Sequence, residues 1–212
     1  MIEIMLYLYE YEGCPFCSEV REALMMRVLD AVIFPCPRGG RRFRPQAESV
    51  GGRQQFPLLV DDASDTVLYE SDDIIAYLDR YDDRRGERAE ASAAAGELGV
   101  AAGARIRGLH GMQVADRQGR LPPERLLELF SREHDAHAGA VRRLLSALEL
   151  PFVLRSPYMR AEADATPGWV RRAAPDHIDA DRPPVPTLID PNTQRALFTP
   201  MDIAEYLKTQ YA

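Results

Sequence analysis

The sequence predicts an α/β fold made of two similar units in tandem, each with a four-stranded mixed sheet flanked by helices. Strand-like and helix-like segments alternate through residues 1–82, and a matching series returns after residue 122. Two copies of one supersecondary unit, each able to close a core, indicate two domains. A chain of 212 residues is long enough for both. We therefore expect domains at 1–82 and 123–212, joined by a partly helical linker at 83–122.

The elements of the first unit follow from hydrophobic spacing and from cap and turn residues. An apolar, alternating run predicts a strand at 3–9, and apolar residues at helical spacing predict a helix at 15–29. The remaining elements are bounded by turn or cap residues: strands at 31–34, 57–61 and 66–69, and a helix from Ser71. We expect Ser71 to be the N-cap of that last helix, with acidic residues in the first turn.

The second unit keeps the core pattern of the first and loses its polar motifs. Residues 57–61 match residues 186–190 at an offset of 129, and Arg21 matches Arg142 at an offset of 121. At the second offset Cys14 aligns with Asp135, and at the first Glu70-Ser71 aligns with Thr199-Pro200. The chemistry is therefore expected in the first unit alone.

Composition limits the classes of function. The net charge of −7 argues against a general nucleic-acid binder. Three cysteines do not make a disulfide framework, which favours a reducing, cytoplasmic setting. The N-terminus lacks a signal-peptide pattern, and no apolar run is long enough to span a membrane, so we expect no membrane association.

The main motif is Cys14-Pro-Phe-Cys17, at the junction of a predicted strand and helix. Two thiols at this spacing can form a disulfide, and a helix N-terminus favours the thiolate that attacks disulfides. Cys14 is expected to be the exposed nucleophile and Cys17 the resolving thiol. The alternatives are a zinc half-site and two core cysteines, but zinc needs further ligands and Cys36 is the only other cysteine. We expect no metal.

Two further motifs suggest a ligand with an amino-acid head group. Phe56-Pro57 precedes a strand that should be central, where a cis bond would leave the Phe56 backbone free to pair with a peptide-like ligand. Glu70-Ser71 lies at the next strand-to-helix junction. There the helix N–H groups and the Ser71 hydroxyl can hold a carboxylate, and Glu70 can pair with an ammonium group. A simple helix cap is the alternative.

On these motifs, residues 1–82 resemble glutaredoxins and the N-terminal, thioredoxin-like domain of glutathione transferases. The resemblance implies that glutathione binds as co-substrate, with its sulfur at Cys14, its cysteinyl backbone at Phe56 beside Pro57, and its γ-glutamyl end at Glu70 and Ser71. Residues 123–212 resemble the same domain with an eroded site. The chain is thus similar to a tandem form of that domain, without the all-helical C-terminal domain of glutathione transferases.

Cys36 and an arginine-rich loop form a possible accessory site. If the first two strands are parallel, Cys36 lies at the same sheet edge as Cys14, and Arg41 and Arg42 rim that edge. Our hypothesis is that the arginines attract anionic glutathione and that Cys36 is a secondary redox thiol. A solvated loop beside a half-buried thiol is the alternative.

The sequence therefore predicts an enzyme, a glutathione-dependent thiol–disulfide oxidoreductase acting on a disulfide in a protein or a small molecule. One alternative is a glutathione transferase-like enzyme that performs reductive deglutathionylation of a small electrophile through Cys14. The other is a non-catalytic module that binds glutathione or a protein.

Overall fold

The computed structural model describes residues 6–83, 123–157, 168–178 and 183–212, and most of the expected linker lies outside these ranges. Residues 6–83 are called the first half below, and the described residues from 123 onward the second half. The first half contains β1 (Leu6–Glu10), α1 (Pro15–Met26), β2 (Ala31–Pro35), α2 (Arg44–Gly51), β3 (Leu58–Asp61), β4 (Thr66–Tyr69) and α3 (Ser71–Asp83). The second half contains β5 (Leu127–Phe130), α4 (Ala136–Ala147), β6 (Phe152–Arg155), α5 (Gly168–Ala173), β7 (Thr187–Asp190), β8 (Arg195–Leu197) and α6 (Pro200–Tyr211).

The strands form one eight-stranded mixed sheet in the order β4-β3-β1-β2-β6-β5-β7-β8. The mixed α/β character is as predicted, but the two separate four-stranded sheets that we expected are joined. β2 and β6 pair antiparallel, with Ala31 opposite Leu154 and Ile33 opposite Phe152. Each of these apolar strands would otherwise be an exposed edge of its own sheet, and pairing satisfies both edges.

The two halves are related by an approximate two-fold axis at this junction. Val32 pairs with Val153, and the same two residues correspond in the sequence repeat. One continuous cluster of buried apolar side chains includes Leu24 and Ile33 from the first half and Leu145 and Leu154 from the second. The repeat seen in the sequence is therefore built as a single layered structure with a shared core.

The helices of the first half form where their apolar spacing predicts. Helix α1 begins with Pro15 at its first position and buries Val20 and Leu24, while α3 buries Ile74 and Leu78 against the same core. None of the helices in the described ranges is long and apolar enough to cross a membrane.

Candidate active site

Cys14 is the residue that caps helix α1. Its backbone is extended, and its Sγ accepts a hydrogen bond from the Cys17 backbone N–H at 3.4 Å. Pro15 follows at the first helical position, where its missing N–H costs no helix hydrogen bond. A cysteine in this position faces the unpaired N–H groups of the first turn, which stabilise a negative sulfur.

The surroundings of Cys14 favour its thiolate. A hydrogen bond from the Cys17 side chain, together with those from the Cys17 backbone and the Tyr11 side chain, lowers the pKa of Cys14 to about 6, although burial opposes this. The positive charge of Arg21 acts in the same direction. At neutral pH Cys14 is therefore mainly a thiolate, the form that attacks a disulfide.

Cys14 is only 4% exposed, so the expectation of an exposed nucleophile is wrong. Cys17 is buried as well, but its surroundings shift its pKa in the opposite direction. Its side chain is fully buried one turn into α1, and this burial raises its pKa well above the ordinary value. The negative charge of Cys14 acts in the same direction. The two thiols are thus distinct, with Cys14 activated and Cys17 held protonated.

Tyr11 connects the parts of the site and was not singled out from the sequence. Its hydroxyl hydrogen-bonds the Cys14 side chain, and its ring meets the Phe56 ring edge-on at 6.1 Å between centroids. The Arg44 guanidinium lies over the Phe56 ring, 4.9 Å from its centre. An aromatic residue three positions before Cys14 was the only available signal, and no spacing rule marks it as functional.

The remaining predicted residues lie on adjoining segments. The peptide bond between Phe56 and Pro57 is cis, as is that between Val185 and Pro186. The Gln55 side chain donates to a Glu70 carboxylate oxygen at 2.5 Å, which ties the segment before Pro57 to the start of α3. Through Tyr11, Phe56 and Gln55, contacts run from Cys14 to Glu70.

Helix α3 begins at Ser71, so Glu70 and not Ser71 holds the cap position. The Glu70 carbonyl accepts a hydrogen bond from the Ile74 N–H at 3.0 Å, and its φ of 63° is in the left-handed region. Thr199 holds the equivalent position of α6 with extended backbone, and its hydroxyl accepts from the Asp202 N–H. The second half thus has an ordinary cap where the first half has an acidic residue.

Arg41 and Arg42 are held by the second half. Their backbone N–H groups donate to the Glu149 carboxylate at 3.3 and 3.0 Å, and the Arg42 side chain donates to the Glu149 carbonyl at 2.9 Å. A side chain on Gly40 would clash, because a Cβ there would lie 2.6 Å from a Glu149 carboxylate oxygen. The Arg41 side chain is exposed and that of Arg42 is half-buried.

Cys36 is fully buried in a small cluster with Tyr9, Phe43 and Leu58. Its thiol donates to the Phe34 carbonyl at 3.5 Å, and burial raises its pKa well above the ordinary value. These surroundings favour packing over redox chemistry at this thiol.

The second half has no thiol at its equivalent position, where Asp135 caps α4 and accepts from the Ala138 N–H at 2.7 Å. His134 contacts Glu22 of α1 at 3.0 Å, and the described residues contain no group of three or more side chains arranged to hold a metal ion.

Comparisons with known proteins match part of the chain. The family described as "Glutathione S-transferase, N-terminal domain" matches residues 8–86. A solved structure of glutaredoxin 2 from Salmonella typhimurium in complex with glutathione is 25% identical, with a TM-score of 0.33. That match covers 38% of this chain and only 35% of the glutaredoxin chain. No curated protein shows significant similarity. Residues 8–86 are therefore similar to the N-terminal domain of glutathione S-transferases, as their motifs indicated.

Proposed function

We propose that the protein is a glutathione-dependent thiol–disulfide oxidoreductase with Cys14 as its nucleophile. The observation that carries this proposal is the contrast between the two thiols of one helix turn. The Cys14 sulfur accepts a hydrogen bond from the Cys17 N–H, and the pKa of Cys14 is lowered to about 6. The pKa of the buried Cys17 thiol is raised. Nucleophilic attack requires a thiolate, as favoured at Cys14, whereas a resolving thiol can stay protonated until the mixed disulfide has formed, as favoured at Cys17.

The reaction has two steps. The Cys14 thiolate attacks one sulfur of the substrate disulfide, forming a mixed disulfide and releasing the other sulfur as a thiolate. In the second step the Cys17 thiolate attacks the Cys14 sulfur and releases the bound half of the substrate as a thiolate. Alternatively, when that bound half is glutathione, a second glutathione thiolate attacks its sulfur, releases the Cys14 thiolate and forms glutathione disulfide. The Cys17 route leaves a Cys14–Cys17 disulfide, which two molecules of glutathione reduce while they become glutathione disulfide.

Glutathione binding is assigned to the surface that runs from Cys14 to Glu70. The Phe56 backbone is expected to pair with the cysteinyl part of glutathione beside Pro57. The γ-glutamyl carboxylate fits the unpaired N–H groups in the first turn of α3, which begins at Ser71, and its ammonium group fits Glu70. The family of residues 8–86 supports this assignment. A reducing, cytoplasmic setting suits a chain with free thiols.

The test is glutathione-coupled reduction of the mixed disulfide between glutathione and 2-mercaptoethanol. Replacing Cys14 with Ser should lower kcat/KM by at least about a hundredfold, because the nucleophile is lost. Cys36→Ser is the matched loss of a buried thiol and should leave the rate unchanged, unless Cys36 is a second redox thiol. Equal activity of wild type and Cys14→Ser would overturn the proposal and favour a binding module.

Reductive deglutathionylation of a small molecule is the second candidate, and the complete burial of Cys17 favours it. A buried thiol with a raised pKa is a slow resolving group, so glutathione itself can complete the second step. Cys17→Ser should then keep its rate on glutathione mixed disulfides and lose it on protein disulfides that need two thiols. Loss of both rates would contradict this candidate.

The arginine loop gives a separate test of substrate attraction. The Arg41→Ala, Arg42→Ala double variant should raise the apparent KM for glutathione, because the loop loses two positive charges that would attract the anionic tripeptide. The matched control replaces Arg171 and Arg172, two exposed arginines of α5, with Ala. An unchanged KM in the loop variant would refute a role of these charges.

A further inference from the structure

Four buried charged residues meet where the two halves join. Glu12 and Arg21 come from the first half, and Glu133 and Arg142 occupy the corresponding places 121 positions later. Arg21 pairs with Glu12 at 3.0 Å and with Glu133 at 2.8 Å, while Arg142 pairs with the same carboxylates at 3.1 and 3.3 Å. Each of the four side chains is 1% exposed. The four side chains form a ring in which acidic and basic groups alternate, and the ring follows the approximate two-fold axis that relates the halves.

Glu133 has its strongest contacts on helix α1, not on its own half. One carboxylate oxygen accepts from Arg21 Nη2 at 2.8 Å and the other from Arg21 Nε at 2.9 Å, which is the bidentate geometry of a strong ion pair. The first oxygen also accepts from the Ser18 hydroxyl at 2.6 Å. Ser18 and Arg21 are thus held by a residue more than 110 positions further along the chain.

These contacts fall on the same stripe of α1 as the two thiols. Cys14, Cys17, Ser18 and Arg21 are spaced as one helix face, and all four are buried. The Ser18 N–H donates to the Cys14 carbonyl at 3.1 Å. Glu133 therefore contacts the first turns of the helix directly behind Cys14 and Cys17.

The cluster also contains one carboxyl group in excess. Arg21 pairs with a third acid, Glu10, so three carboxyl groups face two guanidinium groups. Burial raises the pKa of Glu10 to about 7 against the attraction of Arg21, and the charges of Glu12, Glu133 and Cys14 raise it further. Glu133, by contrast, has its pKa held well below the ordinary range by Arg142 and Arg21, which overcome its burial.

We propose that Glu133 is a positioning residue for the Cys14 helix, acting through Ser18 and Arg21. The second half then has a defined part in the site of the first half, because it supplies a carboxylate that holds Arg21, whose positive charge lowers the pKa of Cys14. Loss of the Glu133 charge loosens Arg21 and leaves two carboxyl groups, Glu10 and Glu12, for the two guanidinium groups. Ionisation of Glu10 is then favoured, which places negative charge nearer Cys14. Both changes disfavour the Cys14 thiolate.

The experiment measures the thiolate directly, so it depends on the proposed function only in taking Cys14 as the reactive thiol. Iodoacetamide alkylation of Cys14 is followed from pH 4.5 to 9 in the full chain, with the modified residue identified by mass spectrometry. Glu133→Gln removes the charge at constant size, and Glu133→Asp keeps the charge but shortens the side chain. Glu128→Gln is the control, since it removes a carboxylate whose ion-pair partner, at 2.9 Å, is Arg155 of the second half and not a residue of α1.

In Glu133→Gln we expect the midpoint of the Cys14 profile to rise by about half a pH unit, which is about a threefold lower alkylation rate at pH 5. Glu133→Asp should show a smaller rise and Glu128→Gln none. If Glu133→Gln does not fold, Glu133→Asp decides, because it keeps a carboxylate in the buried cluster. A Glu133→Asp profile that coincides with wild type, or an equal rise in Glu128→Gln, overturns the proposal. If the expected shifts are seen but the protein does not reduce disulfides, the oxidoreductase proposal is refuted and this one stands.

Discussion

Val32 and Val153 lie directly opposite each other where β2 pairs with β6, and they are only 4% and 5% exposed. Each belongs to a strand that would otherwise end its sheet. The pairing hides two rows of backbone donors and acceptors that would attract other chains. The two halves therefore share a sheet as well as a core, which predicts that they unfold together.

Replacing Val153 with Asp should lower the free energy of unfolding by at least about 3 kcal/mol, since it buries a carboxylate with no partner at the centre of the sheet. Val67→Asp is the matched control, because Val67 on strand β4 is 41% exposed. In urea, Trp169 fluorescence reports on the second half, as it is the only tryptophan. Its transition should coincide with that of Cys14 alkylation, and two separate transitions would contradict a shared folding unit.

The side chain at position 17 should set the acidity of Cys14. Cys17→Ser keeps a hydrogen-bond donor and should leave the Cys14 alkylation midpoint near pH 6, the wild-type pKa. Cys17→Ala keeps only the backbone N–H, so its midpoint should rise by about one unit, a tenfold lower alkylation rate at pH 5. The comparison is made by mass spectrometry of alkylated peptides. Equal midpoints would mean that the side chain at position 17 does not stabilise the Cys14 thiolate.

Local signals in the sequence predicted the elements and the motif residues. The pattern around Cys14 and Cys17 gave a strand, a proline at the first helical position and a buried helix face, all set by neighbours in the chain. The cis bond at Pro57 was also anticipated, from its place before a central strand and its recurrence at Pro186. These features depend on local backbone chemistry and on hydrophobic spacing, which a single sequence carries.

The junction of the halves was not predicted, because its determinants are far apart in sequence. Nothing in the local pattern shows that β2 and β6 pair. Arg21 and Glu133 carry charges that usually face solvent, and only their pairing across the halves permits full burial. The matching of Arg21 with Arg142 in the repeat was visible, but its partners Glu12 and Glu133 were not recognised as a buried ring.

Tyr11 should tune the reactivity of Cys14 through one hydrogen bond. Tyr11→Phe removes the hydroxyl that bonds the Cys14 side chain and keeps the ring contact with Phe56. We expect the alkylation midpoint to rise by about half a unit, since the thiolate loses a donor. Tyr7→Phe, which removes a hydroxyl from a ring that stacks on Phe34, is the control. An unchanged midpoint in Tyr11→Phe would show that the hydroxyl does not stabilise the thiolate.

Glu10 should make the protein less stable as the pH rises from about 4.5 to 7. Its pKa is raised from 4.5 to about 7 by burial, so in this window the folded state binds more protons than the unfolded state. Stability from the neutral carboxyl is present below pH 4.5 and is lost as pH rises through 7, by an amount on the order of 3 kcal/mol. Glu10→Gln cannot ionise and should remove this decline in urea unfolding at pH 5 and 8, measured in a Cys14→Ser background because the lowered pKa of Cys14 adds stability over part of the same range. Glu48→Gln, at an exposed residue of α2, should keep it. A decline of wild-type size in Glu10→Gln would assign the excess proton to another group of the buried cluster.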